Sequence, residues 1–187
     1  MAPHRRRALI LFVVGLVLVA AGKSLLGKSG PSGLGTIPLP ASAGNLPEPI
    51  AGVECRPALH ENAAYHIHAT LSIRVDGQAV EVPSNVGIVT DPDTGQVVCM
   101  YELHTHDNSG EIHIEAPEPR TFTLGQFFAV AGVPLTPENV AGFTVGEGGE
   151  LRVMVDGQPL EPVTAEALYN IELVDGRKID IEIRSGN

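Results

Sequence analysis

From Tyr65 onward, apolar and polar positions alternate in short runs broken by Asp-Gly pairs at 76–77, 156–157 and 175–176. A period of two places each apolar set on one face of a strand. Asp-Gly between such runs favours a two-residue hairpin turn, because both central residues must take positive φ. A loop at Asp76-Gly77 pairs Val75 with Gln78, Ile73 with Val80 and Leu71 with Val82. The aliphatics then share one face, and Ser72, Arg74 and Glu81 the other, so the register is self-consistent. LSIRVDGQAVEVP and LRVMVDGQPLEP are similar enough to be copies of one hairpin. Near the C-terminus, a three-residue loop at 175–177 would align Ile171 and Leu173 with Ile179, Ile181 and Ile183.

The helical signals are few. Thr123 and Gln126 form a capping box ahead of Phe127, Phe128 and Val130, with Gly132 as the stop. Thr136-Pro137-Glu138 predicts a second short helical turn, with Pro at its first position. The expected fold is therefore mostly β: an antiparallel, sandwich-like domain of Asp-Gly hairpins with one or two short helices, after an N-terminal transmembrane helix.

That transmembrane helix is read from the first segment. Arg5, Arg6 and Arg7 precede an apolar run from Ala8 to Gly22, which would rise about 22 Å as a helix. Leu25 and Leu26 extend it past Lys23 towards the roughly 30 Å of a hydrocarbon core. The one-sided arginines put the N-terminus in the cytoplasm and the remainder outside. The alternative is a secreted domain released by cleavage after a signal peptide, with Val19-Ala20-Ala21 as the small-residue site. Residues 27–51 are rich in Gly, Pro and Ser and have no apolar period, which reads as a linker. The organisation is thus a signal anchor at 1–26, a linker at 27–51 and an extracytoplasmic domain at 52–187.

Composition narrows the function. The 187 residues include 21 glycines and 15 prolines, consistent with many turns. The net charge is −10, but the only charged residues through position 28 are five of the 12 bases. Beyond them 22 acids face 7 bases, a net −15 that excludes nucleic acid as a partner. Cys55 and Cys99 are the only cysteines. An oxidising compartment favours a disulfide between them, and the alternative is a thiolate metal ligand.

Seven histidines occur, and five of them fall between positions 66 and 113. His66 and His68 share a strand face opposite Ile67, Ala69 and Leu71, and His104 and His106 likewise share one. With Asp107-Asn108-Ser109-Gly110 as a turn, His106 pairs with Glu111, His104 with His113, Leu103 with Ile114 and Glu102 with Glu115. One face then collects Glu102, His104, His106, Glu111, His113 and Glu115. Opposed Cβ atoms lie about 4.5–5.5 Å apart, close enough for imidazoles to converge on one ion. Glu102 opposite Glu115 needs a counter-charge, from a cation or from Arg74. The expected metal ligands are His66, His68, His104, His106, His113, Glu111 and Glu115. Imidazole with carboxylate suits copper, zinc, iron or manganese. His60 stands alone in a polar stretch and reads as an ordinary surface residue.

YHIHATLSIRVDGQ, LHTHDNSGEIHIEAP and FTLGQFF resemble blocks of a family of exported, N-terminally anchored bacterial and archaeal proteins. The likeness spans about residues 52–185 and implies a recurring domain without an assigned activity. More weakly, the spacing of His104, His106 and Glu111 resembles the first cupin motif. The flanking glycines and a second motif with a late histidine are absent from the chain.

Three functions follow as expectations. The first is a membrane-anchored extracytoplasmic metal-binding protein for sequestration, sensing or delivery. The second is a metal-dependent enzyme, a cupin-like oxidoreductase or a hydrolase, using the same histidines. The third is an adhesion or scaffold domain that binds no metal. The sequence names no protein partner.

Overall fold

A computed structural model describes residues 46–186. The expected anchor lies outside the described residues, as does most of the expected linker. Among the described residues no helix is long and apolar enough to cross a membrane. Packed contacts begin just ahead of Gly52: the Tyr101 hydroxyl donates to the Glu48 carbonyl, and Ile50 bridges to Val53.

The chain is mostly β, with short helices. Strand β1 (Cys55–Arg56) leads through one helical turn, α1 (Leu59–Asn62), into the long strand β2 (Tyr65–Val75). Then come β3 (Gln78–Val80), β4 (Ile88–Thr90), β5 (Val97–Tyr101), β6 (Leu103–His104) and β7 (Glu111–Ala116). Helix α2 (Leu124–Val130) precedes three short strands, β8 (Leu135–Thr136), β9 (Asn139–Val140) and β10 (Phe143–Thr144). The last elements are β11 (Glu150–Val155), β12 (Gln158–Pro159), α3 (Ala165–Tyr169) and β13 (Arg177–Arg184).

The main sheet runs β12-β11-β13-β2-β7-β6, with β3 also paired to β2. A smaller sheet, β1-β5-β4, carries the disulfide, and β8, β9 and β10 form a third. Both Asp-Gly hairpins form as expected. Val75 pairs with Gln78 and Ile73 with Val80, while Val155 pairs with Gln158. Asp76 and Asp156 take φ of 49° and 51°, and the following glycines are also positive.

The C-terminal hairpin does not form. Segment 171–173 instead runs beside 122–124, where Leu124 N–H donates to Ile171 O and Leu173 N–H to Phe122 O. β13 inserts between the two Asp-Gly hairpins, parallel to β2 and antiparallel to β11, so the sheet is mixed rather than antiparallel. Burial explains the choice. In the centre, Ile179 and Ile181 meet Leu71 and Ile73 on one side and Val155 and Val153 on the other, and all but the half-buried Val155 are buried. A terminal hairpin would offer these isoleucines one apolar neighbour strand instead of two. Both hairpin aspartates also hold this segment: Asp76 Oδ1 accepts from the N–H of Ser185, just past the end of β13, and Asp156 Oδ1 from that of Lys178 near its start, both at 2.8 Å.

The capping box of α2 is present, with Phe127 and Phe128 buried beneath it. The helical turn expected at Thr136-Pro137-Glu138 is instead the tight link between β8 and β9, where Thr136 Oγ1 accepts from Asn139 N–H. The hydroxyl supplies the local bond that a helix would otherwise make. Helix α3, capped by Thr164, was not expected.

Cys55 and Cys99 form the expected disulfide, with Cα atoms 5.5 Å apart. No thiolate is therefore present as a ligand. Closing the loop between them stabilises the fold by about 4 kcal/mol in the chain-entropy model.

Candidate metal centre

Strands β6, β7 and β2 lie side by side and set the histidines in rows. His104 pairs with His113 and Leu103 with Ile114, the expected register. His113 also faces His68, and His66 faces Glu115. One row across three strands is thus His104, His113, His68, and the next contains Glu115 and His66. Alternation sends Ala69, Ile112 and Ile114 into the core on the opposite face. Gly110 secures this register. Its φ is +85°, and a Cβ there would lie 2.2 Å from the Leu71 carbonyl oxygen.

The expected ladder breaks at both ends. After His104 the chain leaves β7, because Thr105 pairs with the Asn85–Val86 segment through its backbone. Its hydroxyl also donates to Pro83 O at 2.7 Å. His106 therefore does not sit opposite Glu111, which pairs with Thr70. Instead His106 folds back over His104, with their Nε2 atoms 3.2 Å apart. At the other end, the chain bends at Glu102, whose carboxylate turns away from the histidines to Arg56 and Arg120. Those two arginines supply the counter-charge expected of Arg74.

His60 is the residue that sequence reasoning missed. Leu59 is buried and pins α1 against the sheet, which sets the His60 ring over β7. His60 Nδ1 is 2.8 Å from Glu115 Oε1. One signal was available: His60 follows Cys55 closely and His104 follows Cys99. A disulfide between those cysteines draws both histidines to the same place.

Glu115 is the centre of the arrangement. Its side chain is 0% exposed, and neither oxygen has a partner in hydrogen-bond geometry. Yet ring nitrogens of four histidines surround Oε1: His60 at 2.8 Å, His66 at 3.2 Å, and His104 and His113 at 3.8 Å. The donors fall into two groups, each mutually within 4.8 Å. One is His60, His104, His106 and Glu115; the other is His66, His68 and His113. Glu111 joins neither. It is half exposed, and its Oε1 is 3.3 Å from the far nitrogen of His113, Nε2.

The electrostatics keep the inner rings neutral. His104 Nδ1 lies 2.9 Å from Tyr101 O, which can only accept, so Nδ1 carries the proton and Nε2 the lone pair. Burial pushes the His104 pKa down to about 3, helped by the neighbouring imidazoles. Burial and the charges of His106 and His68 push His113 down to about 4. His106 is lowered as well, by desolvation and by His60. Neutral imidazole is the form that binds metal.

The backbone of His68 is held on both sides by the Asp175-Gly176 turn. Its N–H donates to Asp175 Oδ1 at 3.2 Å, and its carbonyl accepts from Gly176 N–H at 2.8 Å. Beside the cluster, His60 and His106 border an open depression of about 740 Å³ whose other walls include Ile88, Val97 and Met100.

No family model matches the chain, and no curated protein or solved structure matches it either. The functional reading rests on the geometry of the cluster.

Proposed function

We propose that the protein is a membrane-anchored, extracytoplasmic metal-binding protein that captures a divalent transition-metal ion for sequestration, sensing or delivery. The observation that carries this reading is Glu115. A buried carboxylate with no hydrogen-bond donor is costly unless a charge compensates it. Here the groups gathered around it are imidazoles, whose ring nitrogens, once deprotonated, would satisfy a cation together with the carboxylate. Donors bound at 2.0–2.1 Å in a tetrahedron lie about 3.3–3.4 Å apart. The separations of 3.2 Å between His104 and His106 Nε2 and 2.8–3.8 Å to Glu115 Oε1 bracket that edge. A nitrogen and oxygen donor set without thiolate favours zinc or copper(II) over softer ions. The acidic surface raises the local cation concentration without selecting the ion. The arginine-flanked apolar segment and the disulfide support the location outside the cytoplasm.

Elemental analysis of full-length protein purified without a histidine tag tests the reading. Bound zinc or copper that is lost in Glu115→Gln supports it. A metal-free protein whose melting temperature ignores added Zn²⁺ overturns it and leaves the adhesion or scaffold reading.

One observation favours the metal-dependent enzyme as a second reading. The depression bordered by His60 and His106 is of the size that small-molecule sites occupy, and its walls are largely apolar. Turnover of oxygen or of a hydrolysable ester by the zinc- or copper-loaded protein, absent from Glu115→Gln, would select it.

A further inference from the structure

Resting on the metal-binding reading, we infer that the cluster holds two ions side by side, sharing Glu115 Oε1 as a bridging ligand. The first ion would take His60, His104 and His106, and the second His66, His68 and His113.

The inference comes from the donor count and the edges. Seven donors exceed the four that a tetrahedral zinc accepts. The two sets are nevertheless contiguous: the rings of His106 and His113 have centroids 4.5 Å apart, and those of His104 and His113 are stacked at 5.4 Å. The second set also reproduces tetrahedral edges with the same oxygen. His66 Nε2 is 3.3 Å from His113 Nδ1, and the two lie 3.2 and 3.8 Å from Oε1. Oε1 therefore stands at tetrahedral-edge distances from members of both sets: His60 and His104 of the first, His66 and His113 of the second. Ions about that corner would stand at the roughly 3.5–4 Å typical of paired metal sites.

The surroundings fit a pair. A buried carboxylate serving one ion has a second oxygen and a second lone pair to spare, and four imidazoles approach the same Oε1 from both sides. Each half also has a group outside it that orients a ligand. Tyr101 O holds the Nδ1 proton of His104, which aims Nε2 at the first position. Glu111 faces Nε2 of His113, which leaves Nδ1 for the second. Such outer partners fix the tautomer and raise ligand basicity. Glu111 thereby becomes a positioning residue, and it adds negative charge behind His113.

Zn²⁺ titration of the full-length protein counts the ions, and Cu²⁺ electron paramagnetic resonance reads their spacing. Two Zn²⁺ per chain are expected, with one each in His106→Ala and His68→Ala; both side chains are partly or fully exposed, so the fold should survive. Cu²⁺ at two equivalents should give a spin-coupled spectrum with a half-field signal, and Glu115→Gln should weaken both ions by roughly tenfold or more. One Zn²⁺ per parent chain would overturn the pair while leaving metal binding intact. Two uncoupled Cu²⁺ ions, or parental affinity for both ions in Glu115→Gln, would overturn the shared oxygen. Failure to bind any Zn²⁺ would instead strike the metal-binding reading itself. The parent's stoichiometry and spectrum decide the matter even if a variant does not fold.

Discussion

The backbone N–H of Glu115 donates to the carbonyl of Glu102 at 2.9 Å, yet the two buried carboxylates are served by opposite chemistry. Glu102 accepts from Arg56 Nε at 2.9 Å, from Arg120 Nη2 and from the backbone of Glu54. It is a closed structural ion-pair network. The carboxylate of Glu115, one strand across, has imidazoles near it and makes no hydrogen bond. The contrast separates a carboxylate enclosed in an ion-pair network from one left without a donor.

Substitution at Glu115 should therefore act in opposite directions on the two states. Glu115→Gln removes a buried charge that lacks a donor, so the metal-free protein should gain about 1–3 kcal/mol. The stabilisation by added Zn²⁺ should shrink at the same time. Thermal melts with chelator and with Zn²⁺ check both signs.

Substitution at Arg120 should behave differently. Arg120→Ala strips one of the two cations from Glu102 and uncovers the ring of Phe122, over which the guanidinium sits at 4.3 Å. A loss of about 1.5–3 kcal/mol in urea unfolding is expected, with the number of bound Zn²⁺ unchanged.

His60 should prove to be a ligand with little structural weight. Its side chain is 46% exposed, so His60→Ala should change metal-free stability by no more than about 0.5 kcal/mol. Zn²⁺ affinity should fall roughly tenfold or more, as measured by competition with a chelating dye.

Acid should destabilise the metal-free fold before it touches most carboxylates. His104 titrates at about 3 and His113 at about 4 when folded, against an ordinary 6.5. Between those values the unfolded chain binds more protons than the native one, so stability falls as pH drops from about 6.5 towards 3–4. Each group contributes up to about 1.4 kcal/mol per pH unit. Urea unfolding in chelator at pH 7.5 and 5 should show the loss, and His104→Gln should flatten it.

Reduction of the Cys55–Cys99 bond should cost both stability and metal affinity. The bond ties β1 to β5, and so fixes α1 and His60 relative to the strand that leads into His104. The double Ala variant should lose about 4 kcal/mol in the chain-entropy model and bind Zn²⁺ more weakly than the parent. An affinity equal to that of the parent would show that α1 is positioned by Leu59 packing alone.

Much of this protein is dictated by local pattern. Alternation and Asp-Gly chemistry determined the two hairpins, because a two-residue turn with positive φ leaves one register that keeps Leu71, Ile73 and Val75 together. The same logic placed His104 opposite His113, and Thr123 with Gln126 marked the start of α2. These interactions join residues close in sequence, so local pattern suffices to specify their register. Tertiary structure alone decided the rest. β13 left its neighbour segment for the sheet centre, because two apolar flanks bury Ile179, Ile181 and Ile183 better than one. Thr105 left β7 for Val86, which carried His106 over His104 and away from Glu111. The choice between Glu102 and Glu115 was also made at long range, since Arg56 and Arg120 pair with Glu102 and not with Glu115. His60, alone in its polar stretch, enters the cluster only because a disulfide and a buried leucine bring α1 across β7. A pattern of two or four residues records which face a side chain takes, but not which distant segment comes to meet it.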